Sequence, residues 1–294
     1  MQKIAATDWL DRSIYPFTSR FLNTPNGKLH YIDEGQGEVI LFVHGTPTWS
    51  FMYRNYIKIL SKNYRCIALD HLGFGLSDKP MDFIGTPQAH SKNLKKLIDT
   101  LQLKNITLVV HDFGGPIGLS YAISNPAHIK RIVLFNTWLW ETKKDKDAQK
   151  INKILHSSLG NFIYLNTNFS PSFLLKKAFH NKRFLTKEIH QHYKKPFPNK
   201  KTRYGLLKIG KSLIGSSDWY QSQWEQIHTI SDKPCLILWG LKDDFIKPHN
   251  LEKWRSIFQN QTIYTFEAGH FVQEEKFKVS MNKMQNWLET MYVN

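Results

Sequence analysis

Three residues that could carry out nucleophilic hydrolysis follow three separate apolar runs of this sequence. Asp112 ends the run "ITLVVHD", Asp243 is the third residue after "PCLILWG", and His270 directly follows "QTIYTFEAG". Short apolar runs rich in β-branched residues predict buried strands, and ligands of open parallel sheets bind beyond the carboxyl ends of the strands. An acid, a second acid and a histidine at one sheet edge, in this chain order, would form a catalytic triad.

The first acid lies in "LVVHDFGGPIGL", a stretch with the outline of a strand, a sharp turn and a helix. An aspartate is already ionised at neutral pH, so Asp112 needs no base to act as a nucleophile. It attacks carbonyl groups poorly, because the mixed anhydride formed is unstable, but it can displace a leaving group from an sp³ carbon and form an alkyl ester. His270 would then activate the water that hydrolyses the ester, and either Asp243 or Asp244 would orient the imidazole.

Hydrolysis of an alkyl ester passes through an oxyanion, which needs hydrogen-bond donors. The backbone N–H of Phe113, at the start of the predicted helix, is one candidate. The N–H of Thr46, directly after the predicted strand "EVILFVHG", is the second. Neither a metal nor a cofactor is predicted: "GFGLSD" lacks the third glycine of a dinucleotide motif, and Cys66 and Cys235 lie in apolar runs typical of buried, reduced thiols.

Strand-like and helix-like segments alternate along most of the chain, which predicts a mainly parallel sheet with helices on both faces. The first two predicted strands, "KLHYIDEG" and "EVILFVHG", are close enough in sequence for an antiparallel entry to the sheet. The alternation stops between Trp138 and about Gln226, where the sequence is amphipathic, basic and helical in texture, and it resumes at Lys233. We interpret the interruption as an inserted helical lid.

The composition is that of a globular protein with a large core and a strongly basic surface. The 294 residues are 41% hydrophobic, and the formal net charge is +16. We expect the lysine-rich stretches to be a solvated face that maintains solubility, so neither nucleic acid nor membrane is a predicted partner; a polyanion or membrane-surface role is the alternative. The N-terminus has no signal-peptide pattern, and no window is apolar enough to span a bilayer, so we expect a cytoplasmic protein.

Several segments together resemble haloalkane dehalogenases and the neighbouring Asp-nucleophile α/β-hydrolases, which include epoxide hydrolases and β-lactone decarboxylases. The resemblance covers nearly the whole chain and is carried by "YPFTSRFLNTPNGKLHYIDEG", "HGTPTWSFMYR", "DHLGFGLSDKP", "VVHDFGGPIGLSYA", "YKKPFPNKKTRYG", "WGLKDDFIKP" and "AGHFVQEE". It implies an α/β-hydrolase fold, with a mostly parallel eight-stranded sheet, a core of residues 1–137 and 227–294, and a helical cap of residues 138–226. It also implies Asp112 as nucleophile, His270 as base and, from the W-G-x-x-D spacing, Asp243 as the orienting acid.

Two positions depart from the haloalkane dehalogenase pattern. The residue after the nucleophile is usually a tryptophan whose indole N–H holds the halide, and here it is Phe113. The second donor is often an asparagine after His-Gly, where this chain has Thr46. Three tryptophans could line the pocket and offer an N–H instead: Trp49, Trp138 and Trp140.

The resemblance implies a hydrolase that releases an alcohol from a small apolar substrate and water through an alkyl–enzyme ester. Hydrolysis of an epoxide or a β-lactone is the alternative, and an inactive ligand-binding relative is the alternative of a different class. An epoxide would need an acid from the lid, usually a tyrosine. The candidates are Tyr164, Tyr193, Tyr204 and Tyr220.

Overall fold

Eight strands form a single sheet in the computed structural model, which describes residues 8–290. The strands are β1 (Arg20–Thr24), β2 (Gly27–Glu34), β3 (Val39–Val43), β4 (Arg65–Leu69), β5 (Ile106–Asp112), β6 (Ile129–Thr137), β7 (Cys235–Gly240) and β8 (Gln261–Phe266). Residues 1–7, which hold part of the N-terminus considered for a signal peptide, lie outside the described residues. The predicted eight-stranded α/β architecture is confirmed.

The strand order is β1-β2-β4-β3-β5-β6-β7-β8. All pairs from β4 to β8 are parallel, whereas β2 is antiparallel to both β1 and β4. The expected antiparallel entry is therefore present, but its pairing was predicted wrongly, because β4 lies between β2 and β3. Strand β1 was not predicted, since its residues are largely exposed and show no apolar run.

Twelve α-helices flank the sheet or extend beyond it. They are α1 (Arg54–Leu60), α2 (Pro87–Thr100), α3 (Gly114–Ser124), α4 (Lys146–His156), α5 (Ser158–Asn166), α6 (Leu175–Ala178), α7 (Lys187–Lys194), α8 (Tyr204–Gly215), α9 (Ser217–Trp224), α10 (Asn250–Arg255), α11 (Val272–Glu275) and α12 (Phe277–Thr290), all within residues 8–290. Alternate residues of each buried strand point to opposite faces, so Leu41 packs with α2 and α3, and Phe42 packs with α1 and α12. The sheet is covered on both sides, as its continuous apolar runs predicted.

Residues 138–226, which we name the helical insertion, contain α4 to α9 and no strand, and this whole range is described. Side-chain caps define where its helices begin: Asp145 accepts a hydrogen bond from Ala148 N, and Ser157 accepts one from Gly160 N. The helical content of this segment is as predicted. Nowhere in residues 8–290 does a helix have the length and apolarity needed to cross a bilayer.

Candidate active site

Asp112 stands at the tip of a strained turn between β5 and α3. Its φ of 51° lies in the left-handed region, which few residues other than glycine adopt. A hydrogen bond from β6 stabilises the turn, because Thr137 Oγ1 donates to the Asp112 carbonyl oxygen at 2.6 Å. It is also tightly packed, since a Cβ atom on Gly45 would overlap the Asp112 carboxylate and one on Gly115 would overlap Thr137. The carboxylate is thus presented in one fixed place at the sheet edge.

The two carboxylate oxygens of Asp112 have different surroundings. Oδ1 accepts a hydrogen bond of 2.8 Å from the backbone N–H of Thr46. Oδ2 lies 3.5 Å from His270 Nε2. The backbone N–H of Phe113 is at the N-terminus of α3, where helix dipoles favour negative charge. The geometry therefore separates an oxygen held by a backbone donor from an oxygen that faces the imidazole.

His270 lies between two carboxylates. Its Nδ1 donates a hydrogen bond of 2.7 Å to Asp243 Oδ2, and its Nε2 faces Asp112. Burial by itself lowers the pKa of His270, but the carboxylates of Asp243 and Asp112 outweigh it and raise the pKa to about 10. At neutral pH the resting site accordingly holds an imidazolium between two acids.

Asp243 is fixed by four donors, whereas its neighbour Asp244 is exposed. Besides His270, the Asp243 carboxylate accepts hydrogen bonds from the backbone N–H groups of Phe245 and Ile246, at 2.8 and 3.1 Å, and from Asn136 Nδ2, at 2.9 Å. The structure therefore resolves which of the two adjacent acids contacts His270.

Asn136 contacts the Asp243 carboxylate, a role that the sequence did not predict. It is the second-last residue of β6, and its side chain bridges to β7 by accepting from Gly240 N (2.8 Å) and donating to Gly240 O (3.0 Å) while it also donates to Asp243. A carboxamide near the carboxyl end of a buried strand was the available signal. A neutral side chain has no titration chemistry of its own, which is why the sequence did not single it out.

His111, next to the nucleophile, was also missed. Its Nε2 donates a hydrogen bond of 2.9 Å to the His270 carbonyl oxygen, and the two rings lie 4.3 Å apart. Burial lowers the pKa of His111 well below its ordinary value, and the neighbouring His270 lowers it further. His111 is hence neutral and acts as a structural support for the His270 loop.

Two of the three tryptophans predicted to line the pocket pack against the helical insertion or other aromatic rings. The Trp49 N–H donates to the His192 carbonyl oxygen at 3.0 Å, and its ring packs in a cluster with Tyr15 and Phe51. Trp140 packs against two other indoles, those of Trp224 and Trp254. Both side chains hold the helical insertion to the core.

Trp138 is the tryptophan that does approach the site. Its ring meets that of Phe113 edge to face, with 4.8 Å between centroids. Its Nε1 is buried and has no hydrogen-bond partner within residues 8–290, and the same is true of Thr46 Oγ1. Buried polar atoms normally find partners, because leaving one unpaired costs about 1–3 kcal/mol. Two unpartnered polar atoms therefore lie on residues that contact Asp112 or its neighbour.

The helical insertion covers the site with two tyrosines. Burial raises the pKa of Tyr164 to about 12, and the nearby Asp112 carboxylate adds to the rise. Tyr220 shows the same two effects, but its hydroxyl donates to Ser212 O at 2.9 Å. Of the other candidate lid tyrosines, Tyr193 donates to Glu274 and Tyr204 is partly exposed, with no contact to Asp112.

The helical insertion is joined to the His270 loop by a buried carboxylate. Glu275 accepts hydrogen bonds from Gly269 N at 2.9 Å on the core side, and from His180 N and Asn181 N at 3.1 and 2.7 Å in the insertion. The His270 N–H itself donates to Ala178 O at 2.9 Å. The loop that carries the imidazole is thus bonded directly to the insertion.

Comparison with known proteins identifies the family to which this chain belongs. Residues 38–277 match the sequence profile of the family with the alpha/beta hydrolase fold. The chain belongs to the α/β-hydrolase family. The hydrolase is 31% identical over 269 residues to haloalkane dehalogenase 2 of Mycobacterium tuberculosis, covering 90% of this chain and 93% of that protein. It is 35% identical over 272 residues to the cis-3-alkyl-4-alkyloxetan-2-one decarboxylase of Shewanella oneidensis, covering 90% and 86%.

Solved structures agree with the sequence relatives. The haloalkane dehalogenase DatA from Agrobacterium tumefaciens superposes on the hydrolase with a TM-score of 0.83 at 25% identity, over 93% of this chain and 96% of that one. The ancestral haloalkane dehalogenase AncHLD2 shares the fold, with a TM-score of 0.83 at 23% identity over 94% of this chain and all of that one. The hydrolase is haloalkane dehalogenase-like in sequence and in fold.

Proposed function

We propose that this hydrolase cleaves a carbon–halogen bond, or a comparable bond at an sp³ carbon, of a small apolar substrate through an alkyl ester on Asp112. The supporting observation is that the two Asp112 oxygens have different contacts: Oδ1 accepts a hydrogen bond from the Thr46 N–H, and Oδ2 faces His270. Haloalkane dehalogenase relatives at 31% identity support the same chemistry.

In the first step, Asp112 Oδ2 attacks the substrate carbon and forms a C–O bond while the carbon–halogen bond breaks and a halide ion leaves. Oδ1 keeps its hydrogen bond to Thr46 throughout, so the carboxylate does not rotate. Thr46 Oγ1 and Trp138 Nε1 are the donors we assign to the leaving anion, because both are buried and unpartnered within residues 8–290 and lie on residues that contact Asp112 and Phe113, respectively. Trp138 thereby takes the place of the indole that Phe113 lacks.

The second step depends on the charge lost in the first. Esterification removes the negative charge of Asp112, which is one of the groups that raise the pKa of His270. The imidazolium can then release its proton to solvent and become the base that takes a proton from water. Hydroxide adds to the ester carbonyl, and the N–H groups of Thr46 and Phe113 stabilise the oxyanion. On collapse the departing alkoxide takes the proton from His270, and the Asp112 carboxylic acid that remains passes its own proton to His270, which restores the carboxylate and the imidazolium.

β-Lactone opening is a second candidate, favoured by the 35% identity to an oxetan-2-one decarboxylase. Attack of Asp112 on the sp³ ring carbon would break the ring C–O bond and leave a carboxylate attached to the same molecule. The two donors at Thr46 and Trp138 would suit this carboxylate as well as a halide. An epoxide would instead need a proton, and Tyr164, which is near Asp112 and whose hydroxyl is hydrogen-bonded to the Ser170 side chain, is the candidate donor.

A trapping experiment tests the covalent mechanism. His270→Gln removes the base but leaves the nucleophile, so each true substrate should convert the variant stoichiometrically to an adduct on the peptide that contains Asp112. Mass spectrometry of the digested protein reads the adduct for short haloalkanes, β-lactones and epoxides in turn. The mass added also identifies which substrate class reacts.

The matched control is the double variant Asp112→Asn/His270→Gln, which should show no adduct under the same conditions. Absence of an adduct in His270→Gln with all three classes, in a protein that melts cooperatively, would contradict the covalent mechanism. It would favour an inactive ligand-binding member of the family.

A further inference from the structure

Helix α5 of the helical insertion has two different faces. On the inner face, Tyr164 and Leu165 are buried in the same apolar cluster as Phe113 and Trp138. On the outer face, Leu159 and Phe162 are one helical turn apart, and their side chains are 69% and 63% exposed. A helix in this position needs one apolar face for the core, so its second apolar face is unexplained by folding.

Further large apolar side chains are exposed beside this outer face. Ile154, just before α5, is 53% exposed, and Phe173, just after it, is 56% exposed. The Ile154 carbonyl lies against Gly160 of α5, while Phe173 stacks on Phe169 at 5.1 Å. We name Ile154, Leu159, Phe162 and Phe173 the outer apolar face. Clustered exposed apolar side chains mark an interaction surface, whereas single ones are ordinary.

The charges that flank the outer apolar face within residues 148–187 all have one sign. Residues 154–175 contain no Asp, Glu, Lys or Arg, and residues 148–187 contain no acidic residue at all. Seven basic residues flank the uncharged stretch, and all are exposed: Lys150, Lys153, Lys176, Lys177, Lys182, Arg183 and Lys187. None of the seven is in an ion pair within residues 8–290.

We propose that the outer apolar face docks on an anionic lipid bilayer, with the flanking lysines contacting lipid phosphates and Leu159 and Phe162 entering the headgroup–acyl boundary. Exposed leucine and phenylalanine with a basic surround on an interfacial helix is the chemistry that binds such surfaces. Polybasic segments are attracted to the negative potential of anionic lipids. This inference replaces the expectation that the lysines serve only solubility.

Charge decides against two other occupants. A second copy of this chain would bring the same seven cations into contact with themselves, and like charges facing each other oppose association. A nucleic acid would use the cations but would gain nothing from exposed aliphatic side chains such as Ile154 and Leu159, because it is bound by phosphate contacts and by aromatic stacking. A bilayer is complementary to both features.

The position of the surface has a consequence that rests on the proposed function. Apolar substrates partition into bilayers, and α5 has the bilayer-facing side chains on one side and Tyr164, near Asp112, on the other. Docking would place the helix that covers the site against the phase that concentrates its substrate. The docking itself requires no turnover and can be measured without a substrate.

Vesicle flotation of the full-length hydrolase tests the proposal. We expect binding to vesicles of phosphatidylcholine and phosphatidylglycerol and much weaker binding to phosphatidylcholine alone. Leu159→Ser/Phe162→Ser should lower the partition coefficient by about tenfold or more, since two apolar side chains no longer enter the lipid. Lys150→Gln/Lys153→Gln should lower it by about 25-fold, at roughly fivefold for each lysine.

Two control variants remove comparable groups elsewhere on the surface. Lys92→Gln/Lys96→Gln removes two exposed lysines of α2, and Ile84→Ser removes a side chain that is 64% exposed outside the helical insertion. Both should retain vesicle binding within about twofold. Melting curves verify that every variant is folded.

Three outcomes would overturn the proposal. The first is no binding of the wild type to either vesicle, or an equal loss of binding in the control lysine variant. The second is a dimer in sedimentation velocity that Leu159→Ser/Phe162→Ser converts to monomer, which would make the face a self-association surface. The third is duplex DNA binding that needs Lys150 and Lys153 but not the apolar pair.

Discussion

The sheet edge and the insertion-facing side of the candidate site differ in how completely their polar groups are paired. At the sheet edge, Asp243 accepts from four donors and His270 lies between two carboxylates. On the insertion-facing side, Trp138 Nε1 and Thr46 Oγ1 have no partner within residues 8–290. Asp243 and His270 are paired without a substrate, whereas Trp138 Nε1 and Thr46 Oγ1 are not.

We relate the paired groups to the reaction mechanism and the unpaired donors to substrate specificity. A fully paired set of side chains is rigid, as a nucleophile, a base and an orienting acid must be. Unpaired buried donors persist where a substrate supplies the missing acceptor, since otherwise they only destabilise the fold. In the proposed mechanism, the core supports the covalent chemistry, and the side under the helical insertion selects the leaving group.

The largest expected effect is at the paired edge. Asp243→Asn should lower kcat by about 10⁴-fold, because the imidazole loses the acceptor that fixes its tautomer and stabilises its cation. Asp244→Asn is the matched control one residue away, and it should change kcat by less than about twofold, since Asp244 is exposed. Steady-state kinetics on the substrate found by trapping measures kcat for both variants. Similar losses of kcat in the two variants would contradict the assignment of Asp243 as the orienting acid.

A smaller effect is expected at the unpaired side. Trp138→Phe keeps the ring but removes the N–H, so kcat/KM for a haloalkane should fall by about 10- to 100-fold, the value of a hydrogen bond to a charged group. The thermal midpoint should stay the same or rise, because the lost N–H has no partner in the folded protein. Trp140→Phe is the control, with unchanged kcat/KM. If both variants retain activity, another group holds the leaving anion.

The smallest effect concerns stability against pH. The pKa of His270 is raised from its usual 6.5 to about 10, so the folded protein binds the imidazole proton more tightly than the unfolded chain does. This contribution to stability is fully present below pH 6.5 and is lost as the pH rises through about 10. The thermal midpoint should fall across this window by a few degrees. His270→Gln should remove this part of the fall, and an identical pH profile in the variant would contradict the assignment.

The fold and the three central residues follow from the sequence because their signals are local. Continuous apolar runs identify the strands from β3 to β7, and Asp112, Asp243 and His270 each follow such a run. The carboxyl ends of parallel strands share one edge, so this placement is enough to predict that the three side chains meet. Strand β1 escaped prediction since it is exposed and pairs with β2 only.

The partners of these residues follow from long-range contacts that leave no local signal. Asn136 reaches Asp243 across 107 positions, and Glu275 bonds to Asn181 across 94. The three predicted pocket tryptophans are indistinguishable in type, and which of them contacts Phe113 depends on how the helical insertion packs on the core. The contacts of Trp49 with His192 and of Trp140 with Trp224 were likewise beyond what the sequence predicts.

By itself, the sequence determined the fold, the order of the triad and the absence of an indole N–H at Phe113, because each depends on a residue type at a position within one strand, turn or helix. Only the tertiary structure decided that Trp138 brings an indole back beside Phe113, and that α5 turns an apolar face to solvent. Those outcomes depend on distances between segments far apart in the chain, and side-chain packing fixes such distances only once the whole core has formed.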